Sequence, residues 1–189
     1  MLTFIKKNKT SAILISILLV LIFVNRLTRE KPETPVETEP VKKQANYQNL
    51  TPGTSTKDQT IEKLGNPVKE EGNGTILKFT SSAQGKPHEV LMEENIVFLI
   101  IETVTLNDQK TVSDVKKEFG EPKDVLYGPR YTAGFNLYVY PKNGIAYVGQ
   151  NESDVLLEVW YFPPTTLEDF NMRFAPKYTE TPPSQEGLY

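Results

Sequence analysis

Two stretches of this chain, fifty-five residues apart, carry the same message. The first is Thr56-Lys57-Asp58-Gln59-Thr60-Ile61-Glu62-Lys63-Leu64-Gly65-Asn66-Pro67. The second is Thr111-Val112-Ser113-Asp114-Val115-Lys116-Lys117-Glu118-Phe119-Gly120-Glu121-Pro122. Each opens on a hydroxyl residue suited to accepting a bond from the orphan N–H groups of a first helical turn. Each closes on a large apolar residue, then Gly, then Pro two residues on. Glycine permits the left-handed stop, and proline bars continuation. A duplication of this kind requires a fold built from two like units that bury apolar surface together.

Strand signals follow each helix. After the first come residues 75–80, 88–93 and 96–104, with Gly72-Asn73-Gly74 and the stretch around Gly85 as turns. After the second come residues 123–127, 135–140, 145–148 and 155–162. Lys142-Asn143-Gly144 is a hairpin signal, since Asn-Gly suits the type I′ turn. Glu70-Glu71 and Glu93-Glu94 read as turn residues. A short helix over 166–174 closes the domain after Pro163-Pro164. The expected fold is α+β: two tandem helix-plus-antiparallel-meander repeats, residues 48–104 and 105–174, behind an N-terminal transmembrane helix. Period-2 alternation assigns Phe135, Leu137 and Val139 to the core under the helices, and Val155, Leu157, Val159 and Tyr161 likewise.

At these residues the chain resembles the SmpA/OmlA (BamE-like) domain. The resemblance rests on Leu50-Thr51-Pro52-Gly53-Thr54-Ser55-Thr56 leading into the helix and on the Leu-Gly-x-Pro stop. Two such units in tandem are similar to the β-lactamase-inhibitor-protein architecture. The likeness covers residues 49–104 well and 105–162 less well. Thr60 stands where that family has an aliphatic residue, and Asn107-Asp108-Gln109 replaces the glycine start in the second copy. The resemblance implies a small α+β layer, extracytoplasmic placement, association with the cell envelope, and protein binding without catalysis.

The N-terminal quarter has a different character. Residues 10–25 contain eleven Ile, Leu, Val or Phe, flanked by Lys6, Lys7 and Lys9 before and Arg26 after. At roughly −0.3 to −0.6 kcal/mol each, insertion into a bilayer is favoured by about 3 to 7 kcal/mol before polar costs. Sixteen residues span roughly 24 Å as a helix, so flanking cations must snorkel or the bilayer must thin. A cleaved signal peptide is the rival reading, but Val24-Asn25-Arg26-Leu27 offers no small-x-small site. The expected organisation is a cytoplasmic basic N-terminus (1–9), an anchor in the lipid bilayer (10–25), a Pro/Glu-rich linker (26–47), the two repeats, and a disordered tail (175–189). The basic cluster before the helix places the N-terminus in the cytoplasm and the domain outside.

Charge divides the same way. Residues 1–45 carry +4 and residues 46–189 carry −7. An acidic domain repels phosphate backbones, so nucleic acid is not an expected partner. The absence of cysteine removes disulfides, thiolate metal sites and a cysteine nucleophile. His88 is the sole histidine, and it reads as a solvated or hydrogen-bonded side chain, not a metal ligand. No catalytic or cofactor motif stands out, so no enzyme activity, cofactor or metal is expected. Aromatic residues crowd the second repeat. A sheet covered on one side leaves its other face open, and Tyr138, Tyr140 and Trp160 there would form a partner-binding patch. The expected function is binding of a protein or envelope component. The alternatives are a hydrolase with carboxylates in an inter-repeat groove and a passive assembly scaffold.

Overall fold

A computed structural model describes residues 43–183. The anchor segment 10–25 and most of the linker lie outside the described residues. Helix α1 (Lys57–Leu64) and helix α2 (Val112–Phe119) repeat one another down to their ends. Thr56 caps α1 by accepting from the Gln59 N–H, and Thr111 caps α2 by accepting from the Asp114 N–H. In both, the side chain at the third helical position bonds back to the threonine N–H. Gly65 stops α1 at φ 81°, ψ −169°, and Gly120 stops α2 at φ 83°, ψ −170°. This differs from the expected left-handed stop. The region is almost exclusive to glycine and aims the chain outward in an extended course. The Gly N–H still reaches the carbonyl four residues back, Ile61 or Lys116.

Eight strands follow: β1 (Lys69–Glu71), β2 (Ile76–Phe79), β3 (His88–Glu93), β4 (Ile96–Thr103), β5 (Asp124–Leu126), β6 (Asn136–Tyr140), β7 (Ile145–Gln150) and β8 (Val155–Tyr161). They form a single antiparallel sheet in the order β1-β2-β3-β4-β8-β7-β6-β5. Each repeat is thus a helix and a four-strand meander, and the last strands of the two meanders pair with one another. At that seam Ile100 faces Tyr161, Ile101 faces Trp160, Glu102 faces Val159 and Thr103 faces Glu158. The protein is α+β, and both repeats share one continuous sheet.

The duplication extends to a defect. In β4 the register slips so that Leu91 faces Leu99 while Met92 faces Val97, which leaves Phe98 as the extra residue. In β8 Val148 faces Glu158 while Gly149 faces Leu156, which leaves Leu157 extra. The bulge is the third residue of the final strand in each repeat. A bulge inverts the inside-outside alternation. This corrects the expected core set of β8: Leu156, not Val155 or Leu157, joins Val159 and Tyr161 on one face, and Leu157 turns to the other.

Both faces of the sheet are covered, contrary to expectation. On one face lie α1, α2 and an N-terminal stretch, over a core that includes Leu77, Val90, Val97, Ile100, Tyr147 and Val159. On the other lies helix α3 (Leu167–Arg173), whose Phe170 joins Phe174 and Ala175 in a second core with Leu137, Val139, Val148 and Phe162. Leu137 and Val139 therefore pack under α3 and not, as the alternation suggested, under the repeat helices. Thr60, the position in α1 equivalent to Val115 in α2, is fully buried and satisfies its hydroxyl by donating to the Thr56 carbonyl at 2.9 Å.

Four local expectations also change. Glu70 and Glu71 lie in β1; Glu71 bridges Lys69 at 2.7 Å and Lys78 at 3.0 Å. The β3–β4 turn is made by Glu94 and Asn95, at φ 50° and 65°. The β6–β7 hairpin does not use a type I′ turn. Residues Pro141–Asn143 form a 3-10 turn, and Gly144 alone goes left-handed, at φ 67°, ψ 36°. Finally, the described part of the tail, residues 175–183, is packed against the domain. Tyr127 exchanges main-chain bonds with Thr179 at 2.8 and 3.0 Å, which extends the pairing past β5.

Candidate functional site

The expected aromatic patch is not a surface. Tyr138, Tyr140 and Trp160 are 8%, 6% and 8% exposed, and they lie on opposite faces of the sheet. Tyr138 stacks on Tyr147 at 4.9 Å, and the Tyr140 hydroxyl donates to the Gly120 carbonyl at 2.7 Å, beneath the end of α2. Trp160 lies under α3 and the tail, edge-on to Tyr178 at 6.0 Å, with Nε1 donating to Glu158 at 2.8 Å. The physical cause is the second helical layer, which the one-sided reading omitted. All three are core residues.

What the structure does present is a groove on the α1/α2 face, over the seam between repeats, filled by the chain's own residues 43–50. Ala45, Tyr47 and Leu50 are buried there. Gln48 and Asn49, at φ 49° and 64°, turn the segment tightly, with Tyr47 and Leu50 exchanging main-chain bonds at 3.0 and 2.8 Å. The strap is held by one main-chain bond and two bonds from side-chain amides to main-chain carbonyls. The Ala45 N–H donates to the Asn143 carbonyl at 2.8 Å, Asn143 Nδ2 donates to the Lys43 carbonyl at 3.3 Å, and Gln44 Nε2 donates to the Pro52 carbonyl at 3.0 Å. The Tyr47 ring sits 5.6 Å from that of Tyr161 in repeat 2 and 5.9 Å from that of His88 in repeat 1. One side chain thus bridges the two halves.

Polar groups line the floor. Glu102 on β4 accepts from Lys110 Nζ at 2.6 Å and from the Tyr161 hydroxyl at 2.8 Å, and Lys110 also lies 3.1 Å from that hydroxyl. Burial, then the Glu102 charge, pushes Tyr47 up to about 12 and Tyr161 higher still. His88 Nδ1 accepts from the Thr103 N–H at 3.0 Å. Burial outweighs the pull of Glu102 and Asp108 and holds His88 below the usual histidine range. Asp108 is held below the usual carboxylate range by bonds from Ser82 and the Thr105 N–H. Beside the strap remains a cavity of about 110 Å³ bordered by Ala45, Asn46, Lys110, Glu118, Phe119 and Tyr161.

On the opposite face Glu158 forms a matching cluster. It accepts from Trp160, pairs with Lys86 and has Arg130 at 3.7 Å. Glu102 and Glu158, the least exposed of the ion-paired carboxylates among the described residues, therefore stand back to back through the sheet, each paired with its own cation. Among the described residues no group of three or more His, Asp or Glu side chains could hold a metal ion.

The sequence reading missed the strap, Glu102 and Lys110. A signal existed: Ala45 and Tyr47 alternate with polar residues just past the prolines, followed by Leu50. Its shortness hid it, since three apolar residues cannot order a segment without a preformed groove.

No known protein-family model matches this chain, and no curated protein matches it. A crystal structure of a DUF4309 family protein, YjgB from Bacillus subtilis subsp. subtilis str. 168, aligns with a TM-score of 0.43 at 17% identity, over 64% of this chain and 87% of that one.

The tyrosines offer a direct test of the burial. Tyr47, Tyr140, Tyr147, Tyr161 and Tyr178 are all pushed above the ordinary value, in each case first by burial. A raised phenol contributes stability that is complete below pH ~10, the unfolded value, and is lost as pH rises above it. Phenolate absorbance during alkaline titration is expected to show these five ionising together with unfolding. Smooth ionisation of all nine tyrosines near pH ~10 with the fold intact would contradict the packing described.

Proposed function

We propose that this chain is a membrane-anchored, extracytoplasmic, non-catalytic protein-binding module of the cell envelope, and that the groove over the repeat seam is its binding surface. One observation carries the reading: the groove accommodates a stretch of ordinary polypeptide, residues 43–50, through buried apolar side chains, a main-chain bond to Asn143 and a Tyr47 ring that meets both repeats. A surface that accepts main-chain groups and small or aromatic side chains is suited to a peptide partner. The occupant includes the last residues of the Pro/Glu-rich linker, so the same element that tethers the domain also covers its groove.

The non-catalytic part rests on the carboxylates. Glycoside hydrolysis, the carboxylate chemistry an inter-repeat groove would host, needs two acids facing one cleft. Glu102 and Glu158 face away from each other and are bonded to cations. The anchor rests on the apolarity of residues 10–25. Among the described residues no helix is long and apolar enough to cross a membrane. The SmpA/OmlA-like placement in the envelope agrees with this topology. Protease added to intact cells or spheroplasts is expected to digest residues 46–189; full protection would reject outward placement.

Binding is tested by position. A photo-crosslinking residue replacing Glu118, on the groove rim, is expected to yield a discrete adduct in native membranes. The same residue replacing Val68, which is exposed at the β1 edge, is expected to yield none. Equal capture from both positions, or from neither, would overturn the groove assignment.

A further inference from the structure

We propose that His88 is a pH-operated latch on the strap: neutral, it holds residues 43–50 in the groove, and protonated, it releases them. This goes beyond the binding reading and holds whichever partner uses the groove. The geometry rests on two contacts of one ring. One edge of His88 is fixed by the Thr103 N–H, which donates to Nδ1 at 3.0 Å. The ring also meets Tyr47 of the strap, at 5.9 Å between centroids. An acceptor at Nδ1 means the neutral ring carries its proton on Nε2. A second proton must then go to Nδ1, where a donor already points. Protonation breaks that bond and sets two N–H groups against each other, so the ring must shift, and Tyr47 rests on it.

The neighbouring charges do not prevent this. Glu102 on β4 is committed to Lys110 and the Tyr161 hydroxyl. Asp108, from the turn before α2, accepts from Ser82 and from the Thr105 N–H and hydroxyl. Lys110, a cation on the same side, opposes a second positive charge. Burial adds to this opposition, and part of that burial is supplied by Tyr47 itself. With the strap lifted, water reaches the imidazole and its affinity for a proton recovers. The sign follows. The docked state binds a proton less readily than the released state, so docking is fully stable above pH ~6.5, the ordinary histidine value. It weakens as pH falls through that value and below.

The measurement is amide hydrogen exchange on the full chain, corrected for intrinsic rates. The Ala45 amide, bonded to Asn143, reports the strap, and the Val148 amide in β7 reports the sheet. Protection at Ala45 is expected to fall about threefold or more between pH ~7.5 and pH ~5.5, with Val148 unchanged. His88→Asn places an amide oxygen where Nδ1 accepts but does not titrate; it is expected to keep the protection and lose the pH dependence. Unchanged protection in the wild type, or the same fall in H88N, would overturn the latch. A second readout does not depend on that variant folding: Tyr47→Ala is expected to raise the His88 pKa, followed by NMR, toward the ordinary value. No rise would equally reject the proposal.

Discussion

Phe170→Ala is expected to destabilise the domain by about 3–5 kcal/mol, the range for truncating a fully buried phenylalanine. Phe170 is completely buried, with its ring 4.5 Å from Phe162, 5.7 Å from Phe174 and 6.4 Å from Trp160. It is the residue through which α3 closes the second face of the sheet. The surrounding rings are anchored on β8 and on α3 itself, so they cannot collapse far into the space left behind. Urea denaturation should give the loss directly, and thermal melting should shift down by about 10–20 °C. Trp160 fluorescence should move to the red as water gains access beneath α3. A loss under about 1 kcal/mol, the effect of an ordinary substitution, would mean that α3 does not cover this face and that Trp160 is open to solvent.

The second large effect is expected at Gly144. Its φ of 67° costs an L-residue roughly 1–2 kcal/mol. A Cβ there would also collide with the main-chain carbonyl oxygen of Phe162, whose N–H donates to the Gly144 carbonyl at 2.9 Å. Backbone cannot rotate aside as a flexible side chain can, so the β6–β7 hairpin would have to move off the end of β8. Overpacking of this kind adds about 1–3 kcal/mol. Gly144→Ala should therefore cost about 2–5 kcal/mol in total. Gly134→Ala provides the comparison. Its backbone is left-handed too, at φ 78°, ψ 4°, but a Cβ there meets only the flexible side chain of Gln150, which can rotate aside. If the two variants lost equal stability in chemical denaturation, the collision would not be the deciding factor.

The parts of the fold legible in the sequence are those written in strong local chemistry. Both repeat helices show in their threonine caps and glycine-proline ends, and the longer strands show in runs such as Ile96 to Thr103. β1 was hidden because it is three charged residues at a sheet edge, where Lys and Glu blunt an exposed ladder. The faces of β6 and β8 were misassigned for two reasons. The bulge at Leu157 breaks the alternation that the reading relied on, and nothing local shows that a sheet is buried on both sides. Once both sides are buried, tyrosines such as Tyr138 and Tyr140 look like a surface patch in sequence and serve as core in space. The strap was illegible because its stability is borrowed from residues such as Tyr161 and Asn143, about a hundred positions away in the chain.

Joining the two meanders by their final strands has a consequence for modularity. Neither half is a self-sufficient building block. A fragment ending near residue 105 would present the margin of β4 that pairs with β8, Ile100 to Thr103, with its ladder groups unmatched and Glu102 as its one charge. Such a margin recruits any available strand, including another copy of itself. The twin units are therefore obliged to stay together in one polypeptide, and a truncated product would aggregate where the whole domain remains closed.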